Sequence, residues 1–317
     1  MSALIAPVAL IVERIWGYPQ SLFTIIGHPV IWMGSLIELL EKRLNLGAGR
    51  KGRGVLALAL IMAATATTTI PLAWLCHTLP FGFLFEALLA SSLLAQKSLT
   101  DAVRAVAAAL RNSLPAGRAM VGHIVGRDPD TLDEPGVARA AIESLAESTS
   151  DGVVAPLFWL LIGGLPGIAL YKVINTADSM IGHRTERYSE FGWASARLDD
   201  LVNLIPARLT ALLFAGAAFF VRDAQPERAW STALRDASKH ESPNAGWPEA
   251  AMAGALGFSL GGPRSYDGEF VDLPHFGEGR GDLGPDDIER ALQLYSAALN
   301  LLLVASVVVA LALLRLG

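Results

Sequence analysis

Between Arg139 and Pro156 the chain reads RAAIESLAESTSDGVVAP, and three carboxylates, Glu143, Glu147 and Asp151, recur there every four residues. On an α-helix this spacing lines one face, with Arg139 one turn earlier. Like charges so spaced cost a helix a few tenths of a kcal/mol per pair, and an acid in the last turn also opposes the macrodipole. Such a stripe is either a solvated helix face or a site for a hard cation or a polar substrate. A second dense cluster lies between residues 175 and 200. Asn175 and Asp178 share a helical face and suit Mg²⁺ or a polar substrate group, or form an ordinary helix-end pair. His183, Arg184 and Arg187 suit phosphate, Arg being the better bidentate partner, or simply flank a membrane segment. Arg197, Asp199 and Asp200 follow, and Arg208 stands inside an apolar run, where a charge is costly and marks function. Pairing of Arg208 with one of these aspartates is its structural alternative. His28 is a pocket or core residue, and His240 with Asn244 brackets a turn that is structural or substrate-orienting.

The elements that must position these groups are largely apolar. Of 317 residues 52% are hydrophobic and only 17% charged, with a mean hydropathy of +0.43, whereas a soluble domain is about 25% charged. The expected fold is therefore all-α, a multi-pass integral membrane protein with amphipathic polar helices. Residues 55–79 and 292–316 read as spans, 81–95 as a shorter return, and 201–221 as a span carrying Asn203, Pro206 and Arg208. The N-terminal apolar stretches are too punctuated to assign, and they carry no cleavage site of a removable signal. The single cysteine, Cys76, excludes an internal disulfide. No histidine pair or cysteine pair has zinc spacing, no nucleic-acid motif appears, and there is no GxxxxGK[ST], GxGxxG or GxSxG.

Residues 41–53, EKRLNLGAGRKGR, carry five bases and one acid, which places this loop in the cytoplasm. Passage outward through 55–79 and back through 81–95 then leaves the polar helical segment 97–152 on the cytoplasmic side. If 153–174 crossed the membrane, the 175–200 cluster would lie opposite the carboxylate stripe. The break Gly163-Gly164-Leu165-Pro166-Gly167 favours a re-entrant segment instead. Residues 222–290 are expected to be a long polar loop segment containing a small-residue helix over 247–260. The whole chain is expected to form one membrane-embedded domain.

Several of these stretches, taken in order, resemble a known pattern: His28-Pro29-Val30 with Trp32 and Gly34; Gly126-Arg127-Asp128; ESLAESTSDGVVAPLFW (143–159); GGLPGIALYKVINTADSMIGHRTERYSEFGWASARLDDLVNLIPARLT (163–210); HESPNAG (240–246); AGALGFSLGG (253–262); and Tyr266-Asp267-Gly268. The pattern is similar to that of the adenosylcobinamide-phosphate synthase family of cobalamin biosynthesis (the CobD/CbiB type), and it covers nearly the whole chain. Ser148 stands where the family's run has Asn, and Glu13 where Asp is usual; neither change removes a carboxylate.

The resemblance implies an inner-membrane ligase with a cytoplasmic active site. It would join adenosylcobyric acid to (R)-1-amino-2-propanol or its O-phosphate through an amide on the corrin f propionate. ATP with Mg²⁺ is the expected energy source, and other enzymes of the pathway are possible partners. In that setting Glu143, Glu147, Asp151 and Asp178 are candidate metal or nucleotide ligands. Arg127, Lys172, Arg184, Arg197 and Arg208 are candidate phosphate or substrate contacts, with His28, Asn175, His240 and Asn244 orienting substrate. Asp199 or Asp200 is the candidate base, and Glu147 belongs to the catalytic set. Two other classes compete: a transporter or sensor using the intramembrane charges as a path, and a scaffold for soluble enzymes. The absence of an inverted repeat and the crowding of polar residues outside the spans speak against the transporter.

Overall fold

A computed structural model describes residues 2–126, 128–266 and 269–316. Arg127, Asp267 and Gly268 lie outside the described residues, and with them the candidate phosphate contact Arg127. The helices run in order α1 (Ile5–Trp16), α2 (Gln20–Ile26), α3 (Pro29–Leu44), α4 (Arg50–Thr78), α5 (Gly82–Ser91), α6 (Gln96–Asn112), α7 (Leu114–Val121) and α8 (Glu134–Thr149). A π-helical turn, Ser150–Val154, leads into α9 (Ala155–Ile181). Then come α10 (Trp193–Ala217), α11 (Pro226–Asp236), α12 (Gly246–Leu256) and α13 (Pro285–Leu316). Among the described residues four short strands, β1 (Leu260–Gly261), β2 (Arg264–Tyr266), β3 (Glu269–Val271) and β4 (His275–Phe276), form two antiparallel pairs, β1 with β4 and β2 with β3. Among the described residues the fold is all-α apart from these.

The protein is a multi-pass membrane protein. Among the described residues, five helical stretches are long and apolar enough to cross a bilayer: Gln20–Leu44, Arg50–Thr78, Glu134–Ile181, Trp193–Phe220 and Pro285–Arg315. Large apolar side chains stay exposed along them, among them Ile25, Ile70, Trp74 and Val308, as expected where the solvent is lipid rather than water. The N-terminal stretch that the sequence left unassigned thus supplies a candidate span. The return through 81–95 is not a span: α5 has ten residues, which reach about 15 Å, half of a hydrocarbon core.

The chain forms two compact units. The first comprises residues 1–95, 155–203 and 305–317. Its core is built by Ile37 of α3, Ala57, Leu58 and Ile61 of α4, and Val173, Ala177 and Ile181 of α9, closed by Phe191. Within it α9 is broken. Gly164 has φ 60° and ψ −152°, a conformation open to glycine alone. A Cβ placed on Gly167 would lie 2.3 Å from the carbonyl oxygen of Trp159. A straight helix holds residues eight apart at about 12 Å, so the two halves fold back on each other. The break expected at 163–167 is present, and the chain reverses there. Glu86 of α5 completes the turn: its Oε1 accepts from the Leu165 N–H at 3.1 Å, a donor at the start of the second half-helix that has no helical partner. Its Oε2 lies 3.0 Å from His77 Nε2.

The second unit comprises residues 96–154 and 204–304. Asp133 caps α8 by accepting from Gly136 N–H at 2.8 Å, with Pro135 in the first turn. Residues 222–290, expected as a long polar loop segment with one small-residue helix, fold into α11, α12 and the two strand pairs. The reason is in the alanines: Ala229 and Ala233 of α11 and the run Ala250 to Ala255 of α12 are buried, and small side chains let the two helices pack closely. The small-residue helix ends at Gly257, which is left-handed at φ 70°, and not at Gly261-Gly262-Pro263.

Candidate functional site

In the first unit, the second half of α9 and the start of α10 carry the polar cluster. Tyr171 and Asn175 of α9 are four apart, as are Asp199 and Asn203 of α10, so each pair stacks on one helix face. Across the helices the four side chains join. Tyr171 Oη donates to Asn203 Oδ1 at 3.0 Å, Asn203 Nδ2 donates to Asp199 Oδ2 at 3.0 Å, and Asn175 Nδ2 donates to Asp199 Oδ1 at 3.4 Å. Asp199 is buried. Both of its oxygens are thus held by neutral amides, and among the described residues it makes no ion pair.

The groups around this network come from the same unit. The Asp178 charge bears on Asp199, and the Lys172 charge bears on His28. Asp178 Oδ1 lies against the Gly182 backbone, where a Cβ would come within 1.9 Å of it. Asp200 lies 3.7 Å from Arg197 Nη1 and feels Arg184 as well. The first unit therefore gathers His28, Lys172, Asn175, Asp178, Arg184, Arg197, Asp199 and Asp200. His28 has a structural duty too: its Nδ1 accepts from Val30 N–H at 3.2 Å, capping α3.

The loop after α9 is tied to the basic loop after α3. Arg187 donates through Nε and Nη2 to the two Glu41 oxygens at 3.0 and 2.9 Å, a bidentate pair. Asn45 Nδ2 donates to the Arg187 carbonyl and Arg50 Nη1 to the Glu186 carbonyl. The Glu41 hydrogen bonds hold the Arg187 guanidinium above its ordinary range.

In the second unit, Glu143 and Glu147 keep the spacing of an α-helical stripe, but Asp151 falls in the π-turn. A π-turn is wider than an α-turn and rotates the succeeding residues around the axis; such bulges are frequent at functional sites. Glu143 is buried, and its Oε1 accepts from the Gly261 N–H at 2.5 Å, so it braces the β1 turn. Among the described residues, no three His, Cys, Asp or Glu side chains are gathered closely enough to hold a metal ion.

Arg208 is engaged. It donates to the Leu204 carbonyl at 2.7 Å, to Asn244 Oδ1 at 3.2 Å and to the Pro243 carbonyl at 3.4 Å, and lies 4.8 Å over the Trp247 ring. It holds the turn before α12, and the pairing with an aspartate offered as its alternative is not among its contacts. His240 Nδ1 accepts from Ser242 N–H at 2.9 Å, and its Nε2 lies 3.6 Å from buried Glu249. Asn244 and His240 thus belong to one braced turn. Tyr171, Asn203 and Glu86 were absent from the candidates read from sequence. The i,i+4 pairs containing Tyr171 and Asn203 were the available signal, whereas nothing local connects Glu86 to Leu165.

The chain matches the family described as CobD/Cbib protein over residues 6–295. It is 49% identical over 319 residues to "Cobalamin biosynthesis protein CobD" of Rhizobium meliloti (strain 1021), with 98% of each chain covered. It is 52% identical over 297 residues to a protein of that name from Rhodobacter capsulatus, covering 92% of each. The Brucella suis biovar 1 (strain 1330) protein is 47% identical over 307 residues, covering 94% of each. No solved structure matches the chain.

Proposed function

The chain belongs to the CobD/CbiB family of cobalamin biosynthesis proteins, and from that premise we propose that it forms the amide between the corrin f propionate of adenosylcobyric acid and aminopropanol or its O-phosphate, driven by ATP at the cytoplasmic side of the inner membrane. The observation that carries this reading is Asp199, a buried carboxylate held by the neutral amides of Asn175 and Asn203. Such a group is available to take a proton from an ammonium brought beside it. Arg187, Arg50 and Asn45 tie the 182–192 loop to the basic 41–53 loop, and the excess of bases there supports a cytoplasmic placement.

The reaction balances in two displacements. A propionate oxygen attacks the γ-phosphorus of ATP and the bond to ADP breaks. The incoming ammonium gives one proton to Asp199, the freed amine nitrogen attacks the acyl carbon, the carbon–oxygen bond to phosphate breaks, and the second proton lost from nitrogen leaves with the phosphate. Lys172, Arg184 and Arg197 offset phosphate charge. Asn175 orients the substrate while steadying Asp199. Mg²⁺ keeps several waters and needs only one or two protein carboxylates beside phosphate oxygens, so one or two of the candidate acids suffice. Asp178 is the candidate ligand in the first unit, and Glu147 with Asp151 in the second; bound Mg²⁺ would neutralise phosphate charge.

The test is amide formation in purified membranes with Glu147→Ala and Asp178→Ala, alongside substrate-dependent ATP hydrolysis. Activity near that of the unaltered protein in both variants overturns the carboxylate assignments. Amide formation without ATP hydrolysis overturns the energy source.

A further inference from the structure

The second unit contains a cavity of about 550 Å³ that the proposed chemistry does not use. It is lined by Arg104 of α6, by Phe220 and Arg222 just beyond α10, and by Glu289, Ser296 and Asn300 of α13. Two stretches of chain pass through a change of solvent at this cavity. Along α13 the sequence turns from PDDIERALQ to the apolar run beginning LLLVASVVV, and Leu301 and Val304 line the cavity's apolar end. At the end of α10, the span Trp193–Phe220 gives way to Val221-Arg222-Asp223. Phe219 and Phe220 are 75% and 72% exposed there, apolar surface that suits contact with lipid just before the polar Arg222 and Asp223. The cavity thus lies where the hydrocarbon ends and water begins.

Its charge is positive. The acid in its wall, Glu289, accepts from Arg111 Nη1 at 3.4 Å, and Arg111 also holds Asp286 at 2.9 Å. Arg104 is exposed and makes no ion pair among the described residues. Arg222 has Asp223 at 3.6 Å, but both side chains are almost fully in solvent, so that pair is weak. Two guanidiniums therefore face a cavity whose middle offers the Ser296 hydroxyl and the Asn300 amide and whose far end is apolar. A soluble phosphate would use only the first part of this gradient. A phospholipid uses all of it: phosphate on the arginines, glycerol against the polar side chains, acyl chain along Leu301 and Val304. We propose that this cavity binds the headgroup of an anionic phospholipid, fixing the level of the second unit in the bilayer.

The experiment uses the full-length protein in nanodiscs of phosphatidylcholine mixed with phosphatidylglycerol, with retained lipid counted by native mass spectrometry after extraction into detergent. Phosphatidylglycerol is expected to be retained in preference to phosphatidylcholine, and the R104Q/R222Q variant to lose that preference by roughly tenfold or more. Both positions are exposed, so the variant is expected to keep its thermal midpoint. The Ser296→Trp variant fills the cavity without altering charge and is expected to lose retention as well. Equal retention of the two lipids overturns the proposal, as does a folded variant of either kind that retains phosphatidylglycerol unchanged. Displacement of the lipid by millimolar inorganic phosphate points to a soluble phosphate ligand and also overturns it.

Discussion

At Asp199 the amides of Asn175 and Asn203 orient both oxygens without neutralising them, while Asp200 beside it faces Arg197. Two adjacent acids on one helix are thereby given different company. Asp199→Asn keeps the volume and removes the proton acceptor. It is expected to lower amide formation by roughly 100-fold or more with an unchanged thermal midpoint, read as initial rates in membranes beside detergent melting curves. A smaller loss than that of Asp200→Asn reverses the assignment of the base. Glu86 is a different kind of buried acid. It pairs with His77 and with the Leu165 N–H, and removing it leaves that donor unmet. Glu86→Ala is expected to cost about 1–3 kcal/mol of stability, seen as a fall in the melting midpoint; an unchanged midpoint shows the hairpin to be held by packing alone.

Among the elements, α9 depends on a backbone conformation and a close approach. Gly167 meets the Trp159 carbonyl where a Cβ would stand 2.3 Å away, and Gly167→Leu is expected to destabilise the protein by about 1–3 kcal/mol through overpacking. Denaturation in detergent measures it, with Gly163→Ala, at a position with open space around its Cβ, as the mild control. In the other unit, Asp236 ties α11 to the strand region. It accepts from Arg235 at 2.8 Å and from Gly277 N–H at 2.9 Å, with Lys239 at 2.7 Å. The Arg235 hydrogen bonds, with those of Lys239 and Gly277, outweigh burial and hold this carboxyl well below the usual range. A depressed folded value means that its stabilisation is complete above the unfolded value of about 3.9 and is lost as pH falls below that value towards the folded one. Melting midpoints between pH 6 and pH 3 are expected to fall less steeply in Asp236→Asn than in the unaltered protein. Parallel curves exclude Asp236 as a source of acid sensitivity.

On the scale of the whole molecule, the shared side of the 41–53 and 182–192 loops rests on direct bonds between them. These bonds replace the route through 81–95, which α5 is too short to provide. With Cys76 replaced, a cysteine at the exposed position Ser189 is expected to react with an impermeant maleimide only when the cytoplasmic face is open. Labelling from the periplasmic face alone overturns both the topology and the cytoplasmic site.

Composition and hydropathy determined the all-α membrane class because transfer into lipid depends on the summed side chains of a segment, whatever it packs against. The break at 163–167 was legible for a related reason: few backbones other than glycine adopt what Gly164 adopts. The candidates Asn175, Asp178, Asp199 and Asp200 were visible from type and spacing. That Tyr171 joins Asn203 beside Asp199, that Glu143 braces Gly261, that Arg208 serves the turn before α12 and that Glu86 caps Leu165 depended on tertiary structure. Each of these bonds joins residues between 32 and 118 positions apart. Hydrogen bonds act over about 3 Å, and no periodicity along a chain reports which distant segments come that close.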